Sequence, residues 1–396
     1  QESKLIMYYK LVSLILTLKL SSMKNLNLLL IISFISIFAC AQKHKSIIIA
    51  DDPKTIDYTT EVVVKELDIP WGFVFLPDGS ILITEKSGEL IHYNAGVKTK
   101  IMGLPEVYLR GQGGLMDIEL HPNYRENGWL YITYSSSDGE GEGGNTTLIR
   151  AQLIGTKLTS VERLYKAEPN SKRGQHFGSR IEFDKDGYLY FSIGDRGNRD
   201  VNPQDITRDC GKIYRLNDDG SIPNDNPFLD FPGAKTAIYS YGHRNPQGMI
   251  CHPDTGEIWV HEHGPRGGDE INRIKKGGNF GWPLISYGIN YSGTSFTDDT
   301  DLPGMEQPLF YWVPSIAPSG MAYITSDKYK DWKNNLLIGS LKFEYIERLV
   351  LENNKVVKRE KILEGMGRVR NVRQGTDGYV YASLEGVGIV KIIPNK

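Results

Sequence analysis

The chain has 396 residues, 40% hydrophobic and 24% charged, enough to bury one large core or two ordinary ones. Its 46 Lys and Arg against 48 Asp and Glu leave a formal net charge of -2, which excludes an overall pull toward nucleic acid or an anionic membrane and makes any cationic cluster a local feature. The 42 glycines and 22 tyrosines combine tight turns with aromatic strand residues, the composition of an all-β protein.

Near the N-terminus, Met23 is followed by Lys24, the apolar run "LLLIISFISIFA" and then Cys40, the order of a charged region, a short hydrophobic region and a cleavage site. Two readings fit. The segment resembles a bacterial lipoprotein signal with Cys40 as the lipidated first residue, which implies membrane attachment through that cysteine. It also fits an ordinary secretory signal cut nearby, because Ile37 and Phe38 are not the usual residues before a lipidated cysteine. Either way the chain is expected to be exported, to the periplasm or cell envelope. The earlier run "LVSLILTLKL" is too short and too interrupted to span a bilayer, and no transmembrane helix is expected in the mature domain. Residues 1–40 are therefore assigned to export, 41–58 to a linker and 59–396 to the fold.

From Trp71 onward one pattern recurs six times: an alternating apolar run, a turn built on Pro, Asp or Gly, and a second alternating run. "WGFVFLPDGSILITEK", "GSRIEFDKDGYLYFSIGD" and "VRNVRQGTDGYVYASLEG" are three of the copies, and the turns fall at Pro77, Pro122, Asp186, Pro253, Asp327 and Asp377. A period of two is that of a half-buried strand, so each copy is a hairpin. Hairpins that cannot bury both faces alone can close radially, and the expected fold is a six-bladed β-propeller with four-stranded antiparallel blades. A long sandwich is the rival, but it does not require so even a recurrence. "DKDG" at Asp184–Gly187 opens like a calcium loop but is followed by "YLYFSIGD", so it is a hairpin turn. The glycines of "SSSDGEGEGGN" precede no helical pattern and make a loop, not a dinucleotide fingerprint. Cys210 and Cys251 are the remaining cysteines, either a disulfide or two separate thiols; the sequence contains neither CxxCH nor CxxC, which supports neither a c-type haem nor a cysteine-bound zinc.

Between the runs lie "RGQGGLMDIELHP", "GQHFGSR", "YGHRNPQG", "EHGPRGGDEINRIKKGGNFGWP", "GSLKFE" and "GRVRNV". In this order they resemble the soluble aldose sugar dehydrogenases that use pyrroloquinoline quinone (PQQ), six-bladed propellers related to soluble quinoprotein glucose dehydrogenase. The resemblance runs from about "LDIPWGF" to "GIVKI" and implies an aldose substrate oxidised at the anomeric carbon, PQQ and Ca²⁺ as cofactors, and an external electron acceptor. It implies His176 as general base, Arg244 and Asn245 on the quinone oxygens, Gln112 on cofactor or sugar, and Lys342, Arg368 and Arg370 on the cofactor carboxylates. The residue types agree, since a tricarboxylate needs converging cations and these come from three repeats that a closed ring brings to one mouth. Gly264 and Pro265 offer only backbone carbonyls, ligands that hard Ca²⁺ accepts, and the resemblance adds a second, structural calcium at Glu270 and the Phe280 carbonyl.

Gln175 and Arg196 depart from the glucose enzyme, where the first is acidic and the second glutamine, which leaves the preferred sugar open. His121 and His252, each in an "HP" turn, are expected to be structural. Two alternatives remain: a calcium-dependent propeller lactonase, which would need a central cluster of carboxylate and asparagine ligands, and a non-catalytic propeller that binds glycans or proteins.

Overall fold

The computed structural model describes residues 57–395. The export segment, Cys40 and most of the assigned linker lie outside the described residues. Six antiparallel four-stranded sheets follow one another along the chain. The first is β2 (Pro70–Phe75), β3 (Ile81–Glu85), β4 (Glu89–Asn94) and β5 (Val97–Ile101). The second is β6 (Leu115–Leu120), β7 (Trp129–Ser136), β8 (Asn145–Ile154) and β9 (Lys157–Lys166). The third is β10 (Ile181–Phe183), β11 (Leu189–Ile193), β12 (Lys212–Leu216) and β13 (Ile238–Tyr241). The fourth is β14 (Pro246–Cys251), β15 (Ile258–Glu262), β16 (Asp269–Arg273) and β17 (Phe310–Trp312). The fifth is β18 (Pro318–Tyr323), β19 (Leu336–Ser340), β20 (Tyr345–Glu352) and β21 (Lys355–Ile362). The sixth joins β22 (Val369–Gln374), β23 (Val380–Leu384) and β24 (Gly388–Pro394) to the N-terminal strand β1 (Tyr58–Lys65).

The six hairpins of the sequence are the first two strands of each sheet, paired in registers such as Phe73 with Ile83, Met249 with Val260 and Val372 with Ala382. A single hairpin would leave one apolar face wet, and the ring removes that cost by packing sheet on sheet. Each of six main core clusters draws on two neighbouring sheets: Leu82 with Ile132, Leu148 with Phe191, Ile213 with Val260, Ile271 with Ile338, Ile346 with Val372, and Ile389 with Phe73. The innermost strands touch in sequence around the ring, and β2 meets β22 to close it. Closure is covalently out of order, because β1 pairs along β24 from Tyr58 with Pro394 to Lys65 with Gly388. The sheet strand thus begins at Tyr58, the last residue assigned to the linker.

In β2, β6, β14 and β22 a bulge interrupts the pairing near the start of the innermost strand, at Trp71, Met116, Gln247 and Arg370. A bulge re-aims a side chain, and all four residues face one central cavity. Gly248 permits the close approach this requires, since a Cβ there would collide with the His261 ring. The recurring turns at Pro77, Pro122, Asp186, Pro253, Asp327 and Asp377 lie at the other end of these strands, and the histidines of the two "HP" turns hold those at Pro122 and Pro253. His121 Nδ1 accepts from Asn123 N at 2.9 Å, and His252 Nδ1 from Asp254 N at 3.2 Å. Asp184 accepts the Asp186 and Tyr188 amides, which makes "DKDG" a self-closed turn. Cys210 is buried, Cys251 partly so, and both are free thiols. No helix among the described residues is long and apolar enough to cross a membrane.

Candidate active site

Strand direction decides which loops meet. The segments entering each innermost strand and those leaving each second strand share one end of the ring, and they carry every site residue expected from the sequence except Glu270, Phe280 and Arg370, which sits at the bulge near the start of β22. A cavity of about 290 Å³ opens there, with Trp71, Met116 and Phe177 as an apolar floor. Beneath it Arg180, 3% exposed, closes the channel by bonding Asp117 Oδ1 at 3.0 Å and the carbonyls of Gln247 and Arg370 at 2.7 and 2.8 Å, with its guanidinium 4.2 Å from the Trp71 ring centre.

Gln112, Asn245, Arg368 and Arg370 all line this cavity, as do Lys86 and Glu385. Glu385 bridges the two arginines: its Oε2 lies 2.7 Å from Arg368 Nε and its Oε1 accepts from Arg370 Nη2. Burial alone would raise this carboxyl, but the two guanidiniums outweigh burial and hold it below the usual carboxylate range. Lys342 does not reach the cavity wall; it is exposed beside the mouth, its ammonium 4.8 Å from the Phe343 ring centre. Lys86, which the sequence did not single out, lines the cavity instead. It directly follows β3 as Lys342 follows the end of β19, so equivalence within the repeat was its signal.

A second cavity, about 250 Å³, adjoins the first. Arg244 lines it, while the next residue, Asn245, lines the first. His176 lies in its wall, 14% exposed, on a backbone with φ of +56°. Its amide donates to Gln112 Oε1 at 2.7 Å, and its Nδ1 is 2.6 Å from Asp195 Oδ1. Asp195 is fixed in turn by Trp282 Nε1 at 2.9 Å and the Gly197 amide at 2.6 Å. The ionised carboxylate can only accept, so Nδ1 carries the proton and Nε2 keeps its lone pair. Burial and then Arg244 lower the imidazole pKa below its ordinary value against the opposing pull of Asp195. Burial would raise Asp195, but the His176 bond and charge, Arg244 and Trp282 leave it lowered. The carboxylate was missed in the sequence, although "FSIGDRG" leaves the very hairpin that "GQHFGSR" enters.

Arg196 does not contact the cavity. It is 1% exposed, stacks 3.4 Å from the Phe177 ring centre, and bonds the carbonyls of Gln175, Arg173 at 2.7 Å and Gly144 at 3.3 Å, so it anchors the loop bearing His176. Arg244 is set from below: its amide donates to Glu262 Oε2 at 2.6 Å, and Glu262 Oε1 binds His243 Nδ1 at 2.8 Å.

A pocket of only about 20 Å³ lies against Glu262, Gly264, Glu270 and Phe280, while Pro265 lines the His176 cavity. The two groups of oxygen donors expected from the sequence therefore meet around one short segment. Burial, followed by repulsion from Glu262, raises the Glu270 pKa to about 8. Asn272 donates to Glu262 at 3.1 Å and Glu270 at 3.4 Å, while its own Oδ1, buried, has no partner among the described residues. Crowded carboxylates and an orphaned amide oxygen fit a hard cation. Among the described residues no group of three or more His, Cys, Asp or Glu side chains is arranged around a metal position, so such a cation would depend on carbonyls as well.

The glucose/sorbosone dehydrogenase family model matches residues 67–390. The chain belongs to the glucose/sorbosone dehydrogenase family. Within it, the aldose sugar dehydrogenase YliI of Escherichia coli K12 is 42% identical over 337 residues, covering 83% of this chain and 90% of that protein. The crystal structure of the soluble aldose sugar dehydrogenase of E. coli in its apo form superimposes with a TM-score of 0.81 at 39% identity, over 86% of this chain and 100% of that one. The PQQ-bound aldose sugar dehydrogenase of Streptomyces coelicolor gives a TM-score of 0.70 at 26% identity, over 86% and 99% of the two chains. For a member of this family, the apolar floor and cationic rim of the larger cavity form a slot suited to a flat, multiply charged cofactor.

Proposed function

We propose that this chain oxidises aldose sugars at the anomeric carbon to lactones, using PQQ and calcium and passing electrons to an external acceptor. The observation that carries the proposal is the 2.6 Å bond from His176 Nδ1 to Asp195, which leaves a basic Nε2 in a cavity adjoining the cationic slot. When bound, PQQ would supply the hydride acceptor and calcium a Lewis acid. The chain's own residues do the rest. His176 Nε2 takes the proton of the anomeric hydroxyl as the C–H bond breaks, and Asp195 stabilises the imidazolium and holds the ring in the right tautomer. Arg244 and Asn245 would offer donors to the quinone, and Arg368, Arg370 and Lys86 would hold its carboxylates, with Glu385 positioning and partly neutralising the two guanidiniums. Lys342 acts from the rim. Gly264 and Pro265 carbonyls would hold the catalytic calcium, and Glu270 with the Phe280 carbonyl would hold the structural one.

Export through the segment before Cys40, with or without lipidation, belongs to the same reading, because a cofactor reduced outside the cytoplasm needs an acceptor in the envelope. The test is direct: purified protein supplemented with PQQ and Ca²⁺ should reduce an artificial acceptor on addition of aldoses. A lactonase would instead hydrolyse lactones without the quinone, and a binding module would do neither.

A further inference from the structure

The cavity beside His176 holds more positive charge than its chemistry needs. Arg173, Arg199 and Arg244 face it together with Asp195 and Asp200. Asp195 is committed to His176, Trp282 and the Gly197 amide. Arg244 is tied to the His263 carbonyl at 3.1 Å and is assigned to the cofactor. Two guanidiniums remain. Arg173 has no acidic partner among the described residues and is exposed. Arg199 meets Asp200 at 3.3 Å, but that carboxylate is 80% exposed, and such surface pairs are weak.

Neither arginine sits on a loose support. The Arg173 carbonyl is gripped by buried Arg196, in the same set of bonds that holds Gln175. Arg199 is held by Asn290 Oδ1 at 2.8 Å and lies 4.6 Å from the Phe296 ring centre, which ties it to the long connection between β16 and β17 that also supplies Tyr291 to the cavity. A single exposed arginine is most often a solvated side chain. Arg173 on an anchored backbone and Arg199 with a guanidinium positioned by Asn290 and Phe296, in the cavity that contains the His176 imidazole, offer two cationic donors that match a carboxylate or phosphate.

Resting on the dehydrogenase reading above, we infer that the preferred substrate is an anionic aldose, with Arg173 and Arg199 binding a carboxylate or phosphate carried on carbons remote from C1 while His176 addresses the anomeric hydroxyl. A neutral hexose would use only hydrogen bonds there. The redox chemistry is unchanged: the C1–H bond breaks with its electron pair going to the quinone, the hydroxyl proton goes to His176, and the lactone keeps the remote anion.

The holoprotein, loaded with PQQ and Ca²⁺, is compared on D-glucuronate, D-glucose 6-phosphate and D-glucose, and its affinity for methyl β-D-glucuronide and methyl β-D-glucoside, blocked at C1, is measured by calorimetry. The expected results are about tenfold or greater preference for an anionic sugar in kcat/KM and in binding, decline of that preference with salt, and its loss in Arg173→Gln/Arg199→Gln. Arg173→Lys, which keeps the charge, should retain most of it and controls for folding. The carboxylate and phosphate arms identify which anion fits. Equal affinity for the two glycosides together with no preference for D-glucose 6-phosphate over D-glucose in kcat/KM, or a preference that survives the double glutamine variant, overturns the inference even if every aldose is oxidised. Selective glucuronide binding with no aldose oxidised upholds the anion site and overturns the dehydrogenase reading instead.

Discussion

As the proposed base, His176 must be unprotonated to act, and its surroundings favour that state. Its pKa lies below the ordinary imidazole value, chiefly through burial and then Arg244, so the neutral form is populated above a pH lower than that of a free ring. The acid limb of kcat/KM should therefore fall below the usual imidazole range, with activity lost as pH drops through it. Asp195 pulls in the other direction by favouring the imidazolium. Asp195→Asn should shift that limb further toward acid and lower kcat by about 10²-fold or more, since an amide can donate to Nδ1 and select the wrong tautomer. A pH profile of the variant with an unmoved limb would detach Asp195 from the base. His176→Ala should reduce turnover by about 10²–10⁴-fold while quinone binding, followed by absorbance, stays close to wild type. Arg370→Ala should weaken quinone affinity by about 1.5–3 kcal/mol, the range of a charged hydrogen bond, with the loss limited because Arg368 still faces the slot. Titration of apo-protein with PQQ reads this directly.

Among the elements, the sixth sheet is the point of closure and the place where stability is most exposed to sequence-distant contacts. Tyr58, at the start of β1, accepts the Leu363 amide on its hydroxyl at 2.7 Å, joining chain segments 305 residues apart. Leu363 is 2% exposed, so Tyr58→Phe leaves a buried N–H without that partner and should cost about 1–3 kcal/mol. Gly388 is the tighter constraint: its φ is +133°, and a Cβ there would collide with the Val64 carbonyl on β1. Gly388→Val should displace β1, uncover the edge of β24 and lower the thermal midpoint more than Tyr58→Phe does. Thermal unfolding of the two variants ranks them; an unchanged midpoint in both would mean that β1 contributes little to closure.

For the whole molecule, metal and quinone are expected to be linked, because the carbonyls of Gly264 and Pro265 supply few charges and the remaining ligands of the catalytic calcium would come from the cofactor. Raising calcium should tighten apparent quinone affinity by the same factor by which quinone tightens calcium. Quinone titrations after chelation, at several calcium levels, measure that factor; calcium-independent affinity with full activity in excess chelator would remove the metal. Calcium at a hundredfold excess over its dissociation constant should stabilise the fold by about 2.7 kcal/mol. Glu270→Gln should shrink that gain. Because Glu270 and Gly264 border one small pocket, the variant should also loosen quinone binding, more than two remote sites would allow.

The sequence by itself determined the period-two hairpins, their number, and the loop segments that carry chemistry, because alternation and turn residues are local properties written into neighbouring positions. It also determined the family, through the order of motifs such as "GHRNPQG", "EHGP" and "NFGWP". Only the tertiary structure decided which end of each hairpin faces the site, since the direction of a strand in the ring is not encoded in its alternation. The same holds for partners brought together across the ring. Asp195 reaches His176, Glu385 settles between Arg368 and Arg370, Lys86 enters the slot that Lys342 only borders, and Arg196 turns inward to brace a loop instead of meeting sugar. Those outcomes depend on packing between sheets and on bulges that re-aim single side chains, energies that exist only once six separate hairpins have closed into one ring.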